Sequence, residues 1–202
     1  MTSKSLIHLA QSDRRAPMNV IETAIPGVLI VEPKVFGDAR GFFMELYHKD
    51  RYAGCAITQC FVQDNLSRSA QGVLRGLHIQ NPRPQGKLVT VLRGCVLDVA
   101  VDVRAGSPTF GRHLTVELNE ENHRQLWVPR GFAHGFFVRS TSADFFYKCD
   151  EVYSPANELV LRWNDPRLGI DWGCDSPIVS ARDSEGVTLE QLVGRLPPYE
   201  PA

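Results

Sequence analysis

The chain has 202 residues, a formal net charge of −1, 43% hydrophobic residues and 22% charged residues. That length suits one domain, or at most one and a half, and the composition is that of an ordinary soluble globular protein. So small a net charge gives no electrostatic ground for a nucleic-acid or membrane partner, and no run of eighteen apolar residues is present to span a bilayer.

The chain opens with MTSKSLIHLAQSDRRAP, which lacks an apolar h-region and reads as a polar arm rather than a signal peptide. Taking the arm as residues 1–18 leaves one domain over 19–202, because no linker, repeat or low-complexity tract divides the remainder. Five cysteines (Cys55, Cys60, Cys95, Cys149, Cys174) lack CxxC spacing. An odd number without a secretory signal predicts reduced, mostly inert thiols in a cytoplasm, and none sits in a recognisable nucleophile context.

From Val28 onward, short apolar runs alternate with turn residues. GVLIVEPKVF is strand-like, Gly37-Asp38-Ala39-Arg40-Gly41 is a turn, and GFFMELYH is a further strand run. HKDRYAGC is a candidate short helix. Strand candidates continue at CFVQDNLS, GVLRGLHIQ, GKLVTVLRG, CVLDVAVDVR, HLTVELN, RQLWVP, AHGFFVRS, ADFFYKCDEVY and ELVLRWN. In CVLDVAVDVR, Asp98 and Asp102 lie four apart and share one strand face. Short strands at this regular spacing predict an antiparallel sandwich or barrel. Only VTLEQLVG near the C-terminus has helical periodicity, with Leu189, Leu192 and Val193 on one face. The expected fold is mainly β, with a small C-terminal helical appendage.

Residues 72–94, GVLRGLHIQNPRPQGKLVTVLRG, form the centre of this pattern: a strand, a Pro-rich loop and a second strand, with Arg75, His78 and Lys87 placed to face one pocket. Gly72 to His78 and Lys87 to Gly94 keep the spacing of the first cupin signature, and Pro129, Gly131 and His134 keep that of the second, so the chain resembles the cupin superfamily of double-sheet β-barrels (jelly rolls). A cupin metal site uses about four ligands, three His and a Glu. Here Gln80 replaces the second His and Lys87 the Glu, and a donor-only ammonium repels a divalent cation. Two imidazoles alone do not make a competent site, so no metal is expected. A lone His78 would more often be a hydrogen-bonded interior histidine than a functional group. Several bases and cations together in a barrel instead call for a polar ligand or a carboxylate partner.

At RGLHIQ, QGKLV, SPTFG, RQLWVPRGFAHGF, FYK, Tyr153-Ser154-Pro155 and WNDPRLGIDW, the chain resembles the dTDP-4-dehydrorhamnose 3,5-epimerase family, from Asn19 to the Arg182-Asp183 pair. The resemblance implies a metal- and cofactor-free isomerase that inverts carbons 3 and 5 of dTDP-4-dehydro-6-deoxy-D-glucose on the way to dTDP-L-rhamnose. It also implies a homodimer in which an N-terminal segment reaches the neighbouring site. An alternative is a relative that inverts only one of the two carbons. A metal cupin and a non-catalytic sugar-nucleotide binding module are readings from other classes.

Protons beside a ketone are acidic because the carbanion delocalises as an enolate, so epimerisation needs a base, an acid on the other face, and a group that stabilises the enolate oxygen. The resemblance assigns the base to His78, its orienting carboxylate to Asp183, the acid to Tyr147 and the enolate-stabilising cation to Lys87. On residue type alone Tyr147 reads equally as a strand filler. Asp98 reads either as a tuner of the catalytic His or as a solvated strand carboxylate. The resemblance places Arg40 and Arg75 at the pyrophosphate, Tyr153 on thymine, and Phe43, Glu45, Gln63, Asp64, Asn65, His134, Glu158 and Arg182 in the binding set. Phe43 also reads as core, and Glu45 and Glu158 as solvated. Three departures stand out: Leu66 where the family often has His, a loop between His78 and Lys87 one residue short, and Arg182 in place of Lys.

Overall fold

The structure, a computed structural model, describes residues 18–200; the expected arm lies outside them but for Met18. Two antiparallel sheets face one another. The first has strand order β1 (Asn19–Glu22), β2 (Leu29–Glu32), β10 (Gln125–Val128), β7 (Lys87–Arg93), β12 (Ser142–Cys149), β5 (Gln63–Ala70). The second runs β13 (Glu158–Val160), β6 (Leu74–Gln80), β11 (Phe132–Val138), β8 (Cys95–Asp102), β9 (His113–Asn119). A separate hairpin, β3 (Val35–Asp38) and β4 (Gly41–Met44), turns at Ala39 and Arg40. The run GVLIVEPKVF is thus two strands, parted at Pro33, which has no N–H to give a ladder. This is the double-sheet jelly-roll architecture that the cupin resemblance implied, within the antiparallel sandwich or barrel class expected from the spacing of the apolar runs.

The period of two in the strands sorts side chains between layers. In β8, Leu97, Val99 and Val101 pack outward with Leu189, Leu192 and Trp172 of the C-terminal segment, while Val96 and Ala100 face the space between the sheets. In β7, Val89 and Val91 face inward, and Leu88 packs outward with Tyr52 of the short helix α1 (Lys49–Ala53). Each such Val or Leu contributes about 1.5–3 kcal/mol by burial. One half of the inter-sheet space is therefore apolar and closed. The other half carries the polar residues that the same alternation turns inward.

The C-terminal segment holds α2 (Ala181–Ser184) and α3 (Leu189–Leu192), followed by a tight 3-10 turn at Val193–Arg195. Leu189 and Leu192 are buried as expected. Val193 is 47% exposed and does not share their face, because the chain tightens from α-helix to 3-10 winding at that residue. None of the described helices is long and apolar enough to cross a membrane.

Candidate active site

A cavity of about 390 Å³ opens between the two sheets at their polar end. The second sheet supplies Arg75 and His78 from β6, His134 from β11 and Glu158 from β13. The first supplies Lys87 from β7, Tyr147 from β12, and Gln63, Asn65 and Ser67 from β5. The cavity lies within the size range of small-ligand pockets, and charged and polar side chains from both sheets line it.

His78 is the best-supported group. Its Nε2 lies 2.6 Å from Asp183 Oδ1, and its Nδ1 lies 3.9 Å from Glu158 Oε1. Asp183 sits in α2, where Ser180 caps the helix by accepting the Asp183 amide at 3.0 Å. Its other oxygen accepts the Gly76 amide at 3.4 Å. Burial works against ionisation of Asp183, but His78, the Gly76 amide and Ser180 outweigh it and hold the pKa below the ordinary carboxylate value. Glycine is required here. A Cβ on Gly76, at φ +119°, would meet Gly135 Cα at 2.7 Å and His134 O at 2.8 Å. The glycines of RGLHIQ and AHGFF thus let β6 and β11 approach with both histidines beside the cavity.

His134 Nε2 lies 2.9 and 3.1 Å from the two oxygens of Asp98, with both side chains buried. Asp98 is therefore not a solvated strand carboxylate, since the alternation of β8 turns it inward. Across the cavity, burial pulls Lys87 below the ordinary lysine value, opposed by Cys149, Glu158 and Asp98. Its Nζ lies 6.0 Å from the centroid of the Tyr147 ring. Burial, with Cys149 and Glu158 beside it, pushes the Tyr147 phenol up to about 12. Tyr147 is half-buried: its ring packs against the inter-sheet core beside Phe145 while the residue lines the cavity.

At the mouth, Tyr153 Oη donates to Glu158 Oε2 at 2.9 Å and accepts from Arg182 Nη1 at 3.1 Å, and Arg182 also pairs with Glu158. Glu158 is thus neither free nor solvated, its side chain being only 11% exposed. Arg75 Nε donates to Ser69 Oγ at 2.9 Å. The Gln63 carboxamide accepts the Tyr153 amide and donates to Asn65. The loop from Asn81 to Gly86 delivers Lys87 at the first position of β7, facing the cavity. Among the described residues, no group of three or more His, Cys, Asp or Glu side chains is arranged to hold a metal ion. The Gln80 carboxamide is bonded to backbone atoms instead.

The profile of the dTDP-4-dehydrorhamnose 3,5-epimerase family matches residues 22–191. The dTDP-4-dehydrorhamnose 3,5-epimerase of Pseudomonas aeruginosa is 52% identical over 171 residues, covering 84% of this chain and 94% of that protein. The chain belongs to this family. The crystal structure of the Legionella pneumophila dTDP-6-deoxy-D-glucose-3,5-epimerase in complex with dTDP-4-keto-L-rhamnose superposes with a TM-score of 0.89 at 50% identity, covering 91% of this chain and 100% of that one. A more distant relative, the dTDP-4-dehydrorhamnose 3-epimerase of Streptomyces niveus, is 38% identical over 186 residues, 90% of each chain.

Not every expected family position reaches the cavity. Asp64 points away from it, 52% exposed and 2.7 Å from Lys148 Nζ, because β5 turns Gln63 and Asn65 inward and Asp64 outward. Leu66 lies on that same outer face, 64% exposed, and does not line this cavity. Arg40, Phe43 and Glu45 belong to the β3–β4 hairpin and the segment after it, outside the cavity that holds His78. Arg40 pairs with Asp38, and Glu45 with Arg51. Phe43 is 68% exposed and is not core.

Several lining residues were not singled out in the sequence. Ser67 has a buried Oγ without a hydrogen-bond partner among the described residues and follows Gln63 and Asn65 at the strand period, a signal that could have found it. Cys149, two residues after Tyr147, also lines the cavity, and burial pushes its thiol up to about 11. All five cysteines are free, and Cys149 is in its inert thiol form at neutral pH.

Proposed function

We propose that this chain inverts carbons 3 and 5 of dTDP-4-dehydro-6-deoxy-D-glucose without a metal or cofactor, using His78 as base and Tyr147 as acid. The observation that carries this reading is that the two groups come from opposite sheets and face each other across one cavity. His78 takes the proton from a carbon next to the ketone, and the C–H electron pair moves into the carbon–carbon bond and onto the ketone oxygen. Asp183 holds the imidazole and stabilises the imidazolium that forms. The Lys87 ammonium stabilises the enolate oxygen more than the ground-state ketone, which lowers the barrier rather than merely tightening binding. Tyr147 then returns a proton to the opposite face as the enolate electrons reform the carbon–hydrogen bond; the imidazolium gives up its proton to water and the phenolate takes one from water, which resets both groups. The same sequence serves the second carbon.

Arg75 suits the diphosphate and Tyr153 the thymine ring, with Gln63, Asn65, His134, Glu158 and Arg182 completing the pocket. The reading includes a homodimer in which the hairpin of one protomer brings Arg40, Phe43 and Glu45 to its partner's cavity. What supports it is that Phe36, Phe42 and Phe43 are 48%, 59% and 68% exposed on one hairpin, an apolar cluster that gains by being covered. A soluble nucleotide-sugar substrate fits the cytoplasmic setting expected from the cysteines.

Incubating the protein with the 4-keto sugar nucleotide in deuterated buffer tests the function. Deuterium at both carbons 3 and 5, with L-rhamno product by NMR, is expected. Exchange and inversion at one carbon alone would place the chain with single-carbon epimerases such as the Streptomyces niveus relative. Binding without exchange would leave it a binding module.

A further inference from the structure

Gln80 stands where a cupin metal site would have its second histidine, and the mechanism above gives it no task. It lies two residues beyond His78 on β6, so the strand turns both side chains to one side, yet it is 4% exposed and outside the cavity lining. Its Oε1 accepts the Ser154 amide at 2.8 Å. Its Nε2 donates to the Val152 carbonyl at 3.2 Å and to the Arg83 carbonyl at 2.5 Å. Val152 and Ser154 are the residues on either side of Tyr153, and the Tyr153 amide itself is taken by Gln63 Oε1 at 2.9 Å. Arg83 lies in the loop that leads to Lys87.

We propose that Gln80 is a positioning residue that fixes Tyr153 at the mouth of the cavity, gripping the backbone before and after that ring and anchoring it to the 81–86 loop. This rests on the reading in which Tyr153 meets the nucleotide base. A carboxamide is the group suited to the position: one acceptor meets an N–H, and two donors meet two carbonyls. A carboxylate would set one oxygen against two carbonyl oxygens and would bind a proton to relieve the clash. A leucine would leave all three backbone groups without their partner. Other contacts between the two loops are more exposed: Gln85 reaches the Glu151 carbonyl, and Arg83 pairs with Glu151.

The test is calorimetric titration of dTDP into wild type, Gln80→Leu and Gln80→Glu at about pH 6 and about pH 8.5. Gln80→Leu is expected to bind roughly tenfold more weakly at both values. Gln80→Glu should match that loss at the higher pH and recover to within about threefold of wild type at the lower, where its carboxyl is protonated and donates. The titratable groups on the surrounding elements, Glu158 on β13, Arg83 and Glu151 of the two loops and Lys87 on β7, are common to all three proteins, so each comparison is made with wild type at the same pH. In a Tyr153→Ala background the Gln80 substitutions should have no further effect.

Wild-type affinity in Gln80→Leu, a Gln80→Glu deficit equal at both pH values, or an additive loss in the Tyr153→Ala background would overturn the proposal. Should Gln80→Leu not fold, the two pH values of Gln80→Glu decide alone. If wild type does not bind dTDP, the reading of the pocket falls and this proposal with it; if wild type binds and the variants behave otherwise than stated, only the role of Gln80 falls.

Discussion

His78 Nε2 and Asp183 Oδ1 lie 2.6 Å apart although 105 residues separate them in the chain. The contact joins β6, the strand next to the edge of the second sheet, to a four-residue helix in the C-terminal segment, and it gives His78 a fixed ring orientation with its other nitrogen toward Glu158. Asp183→Asn keeps the shape and removes the charge that favours the imidazolium, so kcat should fall by about 10²–10⁴ with little change in dTDP affinity. Steady-state kinetics with a parallel dTDP titration checks this.

The same pair carries a pH signature in stability. The folded-state pKa of Asp183 is depressed below the ordinary value of 3.8. Its contribution is therefore fully present above that value and is lost as the pH falls through the lower folded value. Urea midpoints measured between about pH 6 and pH 2 should show wild type losing more stability than Asp183→Asn on acidification. Parallel curves would mean that the pairing adds nothing to folding.

Lys87 and Tyr147 separate on the alkaline side. The phenol, at about 12, stays protonated throughout the working range, whereas Lys87 loses its proton below the ordinary lysine value of 10.5. The alkaline fall of kcat/KM should thus belong to Lys87. Lys87→Arg, which stays charged, should push that fall to higher pH at a lower maximal rate, because a planar fork does not replace a point charge. Tyr147→Phe should reduce kcat by at least about 10² without moving the alkaline limb. Profiles of kcat/KM against pH for the three proteins decide it.

Most of the strands, the shared face of Asp98 and Asp102 in β8 and the turning of Lys87 toward the pocket of His78 were legible because a period of two sorts side chains between a core and an interior without regard to distant sequence. The same rule, carried into FVQDNLS, separates Gln63, Asn65 and Ser67 from Asp64 and Leu66, and places the last two outside the pocket. The partner of His78 was not legible from spacing, since Asp183 arrives from a helix far along the chain; only the family blocks indicated it. The fate of Gln80 was beyond any residue pattern, because its three partners are backbone atoms from two loops. Val193 was misplaced because a helix that tightens after four residues rotates the next side chain away from the face of Leu189 and Leu192.

The buried pair His134–Asp98 should matter for stability as well as for the site. Asp98 is fully buried and His134 nearly so, at 0% and 7% side-chain exposure. His134→Ala leaves a carboxylate enclosed without its imidazole and should cost about 3–5 kcal/mol. Asp98→Asn keeps a neutral acceptor in place and should cost about 1–2 kcal/mol. Urea unfolding at neutral pH measures both, and equal losses would show that the charge of Asp98 is not what His134 offsets.

The hairpin supplies a prediction that separates one protomer from two. Arg40 lies in an exposed turn and, among the described residues, pairs locally with Asp38, outside the cavity that holds His78 in the same chain. If each cavity takes Arg40 from the partner, Arg40→Ala and His78→Ala should each be nearly inactive alone. A mixed dimer then has one cavity with both substitutions and one with neither. Co-expression in equal amounts gives mixed dimers about half the time, with half of their cavities intact, so activity should return to roughly one quarter of wild type. Were Arg40 to serve its own protomer's cavity, every mixed dimer would hold one defect per site and no activity would return. Activity of the affinity-purified mixed dimer, carrying a different tag on each chain, distinguishes the two.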